Sequence, residues 1–223
     1  MELTIDTGTK AGPVTGILDL PPDARALLVL AHGAGAGMRH RFMETISQLL
    51  AARRIGTLRY QFPYMETGRR QPDRPATLEA TVEAAVAAAG SEAPGVPLIA
   101  GGKSMGGRMT SLAAARAGLT GVKGLVFFGF PLHPPGRQGT ERAEHLWRLE
   151  LPMLFIQGTR DSLAEMALVR GVTDRLGARA TLYVVEEGDH SFHVLKRAGR
   201  TDEVVLEGIA DTVAGWLTVA SIY

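Results

Sequence analysis

The strongest chemical signal in this sequence is a serine flanked by glycines. The segment 98–107 (LIAGGKSMGG) contains Gly102-x-Ser104-x-Gly106 between a short apolar run and a helix-forming run. This spacing is typical of a nucleophile elbow, a sharp strand-to-helix turn that exposes a serine hydroxyl. Such a turn has no room for a Cβ two residues before or after the serine, so both positions need glycine. The pattern predicts Ser104 as a nucleophile, and the plainer interpretation is a glycine-rich turn with an incidental serine.

Two nucleotide-binding interpretations of the glycine-rich segments are weak. The triplet GKS at 102–104 resembles the end of a P-loop, but Pro97 stands where that motif has its first glycine. The segment 33–37 (GAGAG) resembles a dinucleotide fingerprint, but Met38 occupies the place of its third small residue. We therefore expect neither segment to bind a nucleotide.

An acid and a base follow the serine in the order that an elbow architecture requires. A serine hydroxyl needs a base to remove its proton, and the base needs a partner that fixes its tautomer. In nucleophile-elbow enzymes these groups come in the order Ser, Asp or Glu, His. Asp161 follows a later apolar run, and His190 follows the last one. The order predicts a Ser104–Asp161–His190 triad.

Both partners have alternatives. Asp161 also fits the N-cap of a helix that begins near Leu163, a role compatible with catalysis. His193 is a rival base three residues after His190, and the two histidines together suggest a metal site. The chain has neither an HExxH spacing nor a carboxylate cluster, so we predict no metal and favour His190, which lies nearer the strand end.

An acyl-transfer site also needs hydrogen-bond donors for the oxyanion. In this architecture they are the backbone N–H of the residue after the nucleophile and one from the loop after the first long buried strand. We predict the N–H groups of Met105 and Ala34 for these roles. His32 is expected to be a hydrogen-bonded structural residue, and Lys103 is assigned no role.

The elements that must position these residues alternate between apolar runs and amphipathic segments. We predict strands at 3–5, 14–18, 26–31, 57–60, 98–101, 125–128, 152–156 and 180–185, and helices near 42–50, 76–89, 105–113, 141–147, 164–176 and from 201 onward. The first two strands are expected to pair as an antiparallel edge. The remaining alternation predicts a doubly wound, mostly parallel α/β sheet with helices on both faces. Active sites of such sheets lie beyond the carboxyl ends of the strands, where every polar cluster named above falls.

Composition narrows the class of protein. The 223 residues are 45% apolar, which fits a single α/β domain over 1–223. The formal net charge of +1, without long basic or acidic runs, argues against nucleic acid or an anionic membrane surface as a partner. With no cysteine, disulfides and thiol catalysis are excluded. The acidic N-terminal segment MELTID is unlike a signal peptide, so we expect a soluble, cytoplasmic monomer or homodimer.

These motifs together resemble a small α/β hydrolase of the dienelactone-hydrolase-like type. The resemblance is carried by the segments AHGAGA at 31–36, FPYM at 62–65, GKSMGG at 102–107, FPLHPPG at 130–136, QGTRD at 157–161 and GDHSF at 188–192. The nearest likeness is to the bacterial branch of a family that includes the hydrolase-like region of a eukaryotic NSL chromatin-complex subunit. The resemblance implies the same triad and the same oxyanion donors. We expect no cofactor.

The chain lacks room for the helical cap that many larger hydrolases insert between two core strands. Only about twenty residues, 131–150, stand at that place, so we predict an open or lightly covered site. Its expected walls are apolar or aromatic residues at strand ends: Met38, Phe62, Tyr64, Phe130, Leu132 and His133. We expect a serine hydrolase acting on a small ester or other acyl substrate. The alternative is a hydrolase-shaped binding module with little turnover, because fold does not guarantee activity.

Overall fold

A computed structural model describes residues 1–222, in which all eight strands join one sheet. The strands are β1 (Glu2–Ile5), β2 (Val14–Asp19), β3 (Ala26–Ala31), β4 (Ile55–Tyr60), β5 (Leu98–Lys103), β6 (Val122–Phe128), β7 (Met153–Gly158) and β8 (Ala180–Val185). Their spatial order is β1-β2-β4-β3-β5-β6-β7-β8. The pairs β1–β2 and β2–β4 are antiparallel, and every other neighbouring pair is parallel. The predicted antiparallel edge and parallel interior are both confirmed.

Helices cover both faces of this sheet. They are α1 (Arg41–Ala51), α2 (Pro63–Glu66), α3 (Pro75–Glu92), α4 (Met105–Ala117), α5 (Met166–Leu176) and α6 (Asp202–Val219). One apolar cluster joins α3, α4 and α5 to one face, and a second joins α1 and α6 to the other. Strands β3 and β4 are buried along their whole length because helices cover them on both sides. This is the α/β hydrolase architecture, doubly wound as predicted.

No large cap covers the carboxyl edge of the sheet among residues 1–222. Between β6 and β7 the only helical element is a 3₁₀ helix, Glu141–Arg148, which packs on α4. The sequence had predicted a short helix there. Because a 3₁₀ helix places residues at i and i+3 on one line, the buried Ala143 and Leu146 form a narrow apolar edge against the core.

The structure differs from the sequence-based prediction at two other elements. The predicted helix from 164 begins only at Met166, because residues 161–164 form a turn in which Asp161 accepts a hydrogen bond from the N–H of Leu163. The predicted aromatic loop after β4 contains the single-turn helix α2, whose first residue is Pro63. No helix within 1–222 combines the length and the apolar character needed to cross a membrane.

Candidate active site

Ser104 lies at the turn between β5 and α4, as the elbow motif predicts. Its backbone has φ 51° and ψ −116°, in the region that non-glycine residues rarely adopt. A Cβ at Gly102 would lie 2.4 Å from the carbonyl oxygen of Ala31, and one at Gly106 would lie 2.5 Å from the same atom. Since such distances are impossible for carbon against oxygen, only glycine at both positions permits this turn. The elbow therefore fixes the serine at the strained tip.

His190 reaches the serine from the loop after β8. Its Nε2 lies 2.8 Å from Oγ of Ser104, and its Nδ1 lies 2.7 Å from Oδ2 of Asp161. The loop is held by Asp189, whose Oδ1 accepts the N–H groups of Ser191 and His193. The structure thus brings together the three side chains that the sequence proposed as a triad.

Asp161 follows β7 and is almost completely enclosed, with 1% of its side chain exposed. Its Oδ1 accepts the N–H of Leu163 at 2.8 Å, and its Oδ2 accepts Nε2 of Gln157 at 2.5 Å as well as the His190 ring. It does not cap α5, which begins at Met166 after the N-cap Glu165. Each carboxylate oxygen has a protein donor, so the carboxylate is held in one orientation.

His193 and His32, two further histidines considered from the sequence, are engaged elsewhere. His193 is exposed and lies 2.8 Å from Asp202, which raises the pKa of its imidazole. His32 is fully buried: its Nδ1 lies 2.8 Å from the carbonyl oxygen of Gly33, and its Nε2 accepts the N–H of Phe62. Burial lowers the pKa of His32 to about 4, so it is a neutral structural residue at ordinary pH.

The two predicted oxyanion donors flank the serine. Ala34 lies in the loop after β3, and a Cβ at the neighbouring Gly33 would stand 3.7 Å from Cβ of Ser104. Met105 is the first residue of α4. Neither backbone N–H donates to an acceptor within residues 1–222. Both groups therefore remain available, and the helix N-terminus adds a favourable potential for negative charge.

A cavity of about 350 Å³ opens over Ser104. Its lining comprises Gly33, Ala34, Ala36, His40, Phe42, Met43, Lys103, Ser104, Leu163, His190 and Ser191. Most of these side chains are small or apolar, and none is a carboxylate. The lining thus combines apolar contact area with the polar groups of His40, Lys103 and His190.

The walls predicted from the sequence are not the walls of this cavity. Met38, Tyr64, Phe130 and His133 are all buried in the fold and line no part of it, and the same holds for Phe62 and Leu132.

The physical reason differs among Met38, Tyr64, Phe130 and His133. The hydroxyl of Tyr64 accepts the N–H of Gly35, and Met38 is buried in the core. Phe130 makes edge-to-face contacts with the rings of Phe127 and Phe155. His133 accepts the N–H of Glu165 and borders a different cavity behind the triad.

Comparisons with known proteins agree with this fold. The family described as the alpha/beta hydrolase domain matches residues 24–218. The chain belongs to the α/β hydrolase family. Among solved structures, this hydrolase is similar to a dienelactone hydrolase from Anabaena variabilis (TM-score 0.76, 18% identity, covering 98% of this chain and 97% of the other). It is also similar to an α/β serine hydrolase without lid from Xanthomonas campestris (TM-score 0.73, 22% identity, 97% and 94% covered).

A further similar structure is Est1E from Butyrivibrio proteoclasticus, with a TM-score of 0.73, 16% identity, and coverage of 100% of this chain and 99% of the other. At these identities the likeness concerns the fold. It supports the dienelactone-hydrolase-like resemblance inferred from the motifs. The narrower branch that includes the NSL chromatin-complex subunit stays a prediction.

Two polar residues at this site, Gln157 and Lys103, have contacts that the sequence alone does not predict. Gln157, which donates to Asp161, is a polar residue near the end of the otherwise apolar β7, and that break in the pattern is a usable signal. Lys103 lines the cavity, and its Nζ donates to the carbonyl oxygen of His190 at 2.5 Å. Nothing in the linear sequence places a lysine amine against a loop 87 residues later.

Proposed function

We propose that this α/β hydrolase is a serine hydrolase that cleaves small carboxylic esters or thioesters through an acyl-enzyme on Ser104. The observation that carries the proposal is the hydrogen-bonded chain from Oγ of Ser104 through His190 to the enclosed carboxylate of Asp161, at the floor of an apolar cavity. A serine, an imidazole and a carboxylate in this sequence of contacts are the groups that acyl transfer requires.

The proposed reaction begins when Oγ of Ser104 attacks the carbonyl carbon of the substrate. Nε2 of His190 accepts the hydroxyl proton, and Asp161 stabilises the imidazolium that forms. The oxygen of the tetrahedral intermediate accepts hydrogen bonds from the N–H groups of Ala34 and Met105. Collapse breaks the ester or thioester bond, and His190 gives its proton to the leaving alcohol or thiol. Water then attacks the acyl-enzyme with the same base, and the carboxylic acid is released.

The cavity lining favours a substrate with a small acyl group that carries apolar carbons. Phe42, Met43 and Leu163 provide apolar contact area, and the absence of a carboxylate among the lining residues removes a repulsive partner for the carbonyl oxygen. Burial of apolar acyl carbons contributes about 0.8 kcal/mol for each methylene. We therefore expect kcat/KM to rise with acyl length until the cavity of about 350 Å³ is filled.

The decisive experiment uses an active-site-directed fluorophosphonate, which a serine hydrolase attacks through Oγ with loss of fluoride. Intact-mass measurement should show one adduct per wild-type chain and none on Ser104→Ala. The exposed serine of α3 provides a matched control, so Ser91→Ala should label like wild type. Hydrolysis of p-nitrophenyl esters of graded acyl length, and of a matching thioester, should fall by about 10⁵–10⁶-fold in Ser104→Ala.

A different outcome would favour the second function expected from the sequence. A folded wild-type protein that takes up no probe and hydrolyses none of these substrates contradicts the hydrolase proposal. Such a protein would be a hydrolase-shaped binding module, for which a stable protein partner is the expected finding.

A further inference from the structure

Lys103 is the neighbour of the nucleophile in the chain, yet its side chain does not extend into solvent. It runs beneath the loop that carries His190, where Nζ donates to the main-chain carbonyl oxygen of that residue at 2.5 Å. A Cβ built on Gly129 would lie 3.1 Å from Nζ and 3.5 Å from Nδ1 of the His190 ring. Gly129, which follows β6, therefore packs closely against both the Lys103 amine and the His190 imidazole.

The surroundings of this amine give it few other partners. Nζ lies 5.2 Å from the centre of the Phe192 ring and 6.0 Å from that of Phe42. No carboxylate within residues 1–222 forms an ion pair with it, and the only hydrogen bond of its side chain is the one to His190. A buried ammonium with a single strong acceptor holds that acceptor firmly, because each alternative would leave the charge less well solvated.

The position of the His190 main chain decides whether its ring can work. The ring must keep one nitrogen 2.8 Å from Ser104 and the other 2.7 Å from Asp161. The loop after β8 includes two non-glycine residues with positive φ, Glu187 at 57° and Phe192 at 66°. A displacement of about 1 Å in such a site typically lowers the rate by about 10²-fold. A hydrogen bond to the carbonyl oxygen of His190 would limit this displacement directly.

We propose that Lys103 is a positioning residue: its ammonium clamps the His190 carbonyl and thereby holds the imidazole in line with the adjacent Ser104. Two consecutive residues of one turn then have both tasks: Ser104 is the nucleophile, and Lys103 positions the base. This inference rests on the proposed serine-hydrolase function. It assigns to the variable position of the Gly102-x-Ser104-x-Gly106 motif a task that the motif alone does not specify.

The test compares Lys103→Met, which keeps the apolar stem but removes the donor, with Lys103→Arg, which keeps a charged donor. Lys123→Met, at an exposed lysine of β6, is the matched control. Lys103→Met should lower kcat for p-nitrophenyl acetate and the fluorophosphonate labelling rate by about 10–10²-fold, with KM changed less than threefold. Lys103→Arg should recover a substantial part of the rate, and Lys123→Met should match wild type.

The pH profile provides a readout that a merely structural lysine would not move. Burial lowers the pKa of Lys103 to about 8, while the charges of Asp161 and Asp189 oppose part of that shift. The groups that face the amine are these two carboxylates and His190. We expect wild-type kcat to decline above pH 8 as the amine loses its proton, a decline that moves to higher pH in Lys103→Arg and is absent in Lys103→Met.

Three results would overturn the inference. One is a labelling rate in Lys103→Met within twofold of wild type. Another is a raised KM with unchanged kcat, which would make the lysine a substrate-binding residue. The third is a rate loss that Lys103→Arg fails to recover while its fold and melting temperature are intact.

Failure of the proposed function would be recognised separately, because wild-type protein would then take up no probe at Ser104. In that case, NMR of histidine-labelled protein decides. The same measurement applies if Lys103→Met does not fold, with Lys103→Leu as the variant that lacks a donor. A His190 ring resonance that broadens in the variant without a donor but stays sharp in Lys103→Arg supports the clamp, and a resonance equally sharp in both contradicts it.

Discussion

Two serine–histidine pairs lie along the same helix, and their heavy-atom distances are nearly equal. At the N-terminus of α4, Oγ of Ser104 lies 2.8 Å from Nε2 of His190. About two turns further along, Oγ of Ser111 lies 2.7 Å from Nε2 of His145, a residue of the 3₁₀ helix packed on α4. The distance between the two groups therefore does not distinguish a nucleophile from a structural hydroxyl.

In the Ser111–His145 pair, the positions of the protons prevent the imidazole from acting as a base towards the serine. Ser111 donates its hydroxyl proton to the carbonyl oxygen of Arg108 at 2.9 Å, so the hydrogen shared with His145 comes from the imidazole Nε2. A ring nitrogen that already carries a proton cannot accept one from the serine. The pair is also buried and lines no cavity with Ser104, so no substrate reaches it.

The Ser104 pair has the opposite arrangement. The carboxylate of Asp161 can only accept, so Nδ1 of His190 carries the proton and Nε2 is left to accept from Ser104. The third group, rather than the serine–histidine contact, sets the direction of proton transfer. Three predictions follow from this contrast, ordered by the size of the expected effect.

The largest effect on rate should come from Asp161→Asn. This substitution removes the carboxylate that accepts from Nδ1 of His190, and the Ser111–His145 pair has no such carboxylate. The side-chain amide presents a donor where Nδ1 now donates, so His190 should shift its proton to Nε2 and adopt the tautomer of His145. We expect kcat for p-nitrophenyl acetate to fall by about 10⁴-fold with the fold intact. The matched control is Asp202→Asn, at the half-exposed aspartate that pairs with His193, and it should retain wild-type kcat. An Asp161→Asn rate within tenfold of wild type would show that the acid is not used.

The second prediction concerns acid stability and uses His145. Burial, with the charges of Arg108 and Arg148, lowers the pKa of His145 to about 4, whereas a histidine of the unfolded chain titrates near 6.5. The unfolded chain therefore binds the proton more tightly. The stability contributed by neutral His145 is present above pH 6.5 and is lost as the pH falls towards 4, on the order of 2–3 kcal/mol.

Urea unfolding at pH 7.5 and 4.5 should show this loss in wild type and a smaller loss in His145→Gln, whose amide can partner Ser111 but does not titrate in this range. His193→Gln is the control of opposite sign. Because Asp202 raises the pKa of His193, that pair adds stability at low pH, and removing it should enlarge the acid loss. An acid loss in His145→Gln as large as in wild type would contradict the assignment.

The Ser104–His190 pair could be predicted from the sequence, and the Ser111–His145 pair could not. Ser104, Asp161 and His190 each follow an apolar run, and the carboxyl ends of parallel strands converge at one edge of the sheet. The strands themselves are readable because burial on both faces requires continuous apolar runs. Ser111 and His145 meet only because the 3₁₀ helix packs on α4, a tertiary contact that leaves no periodic trace in the chain.

The prediction of the cavity walls was wrong for a similar reason. Tyr64 and Phe130 stand at strand ends, as wall residues should, but ring packing and one hydroxyl hydrogen bond direct them into the core. The actual walls, Phe42 and Met43, lie at the start of α1, where the sequence shows only an amphipathic stripe. Which end of that stripe borders the site depends on how α1 packs across the sheet edge.

The smallest predicted effect separates the two serines by stability rather than by rate. Ser111→Ala leaves Nε2–H of His145 buried without an acceptor, which should lower the free energy of unfolding by about 1–3 kcal/mol. The His190 side chain of the wild-type protein is 25% exposed and borders the cavity. In Ser104→Ala water can therefore replace the lost hydroxyl, and stability should stay within about 0.5 kcal/mol of wild type. Urea midpoints at constant m-value provide the measurement.

The double variant Ser111→Ala/His145→Leu tests the cause of that loss. If the unsatisfied imidazole is responsible, removing both polar partners should recover part of the stability lost in Ser111→Ala, because an apolar pair leaves no buried donor behind. Were the two single serine variants equally destabilised, the hydroxyl at 104 would be as structural as the one at 111. The separation of the two pairs into a reactive one and a supporting one would then be wrong.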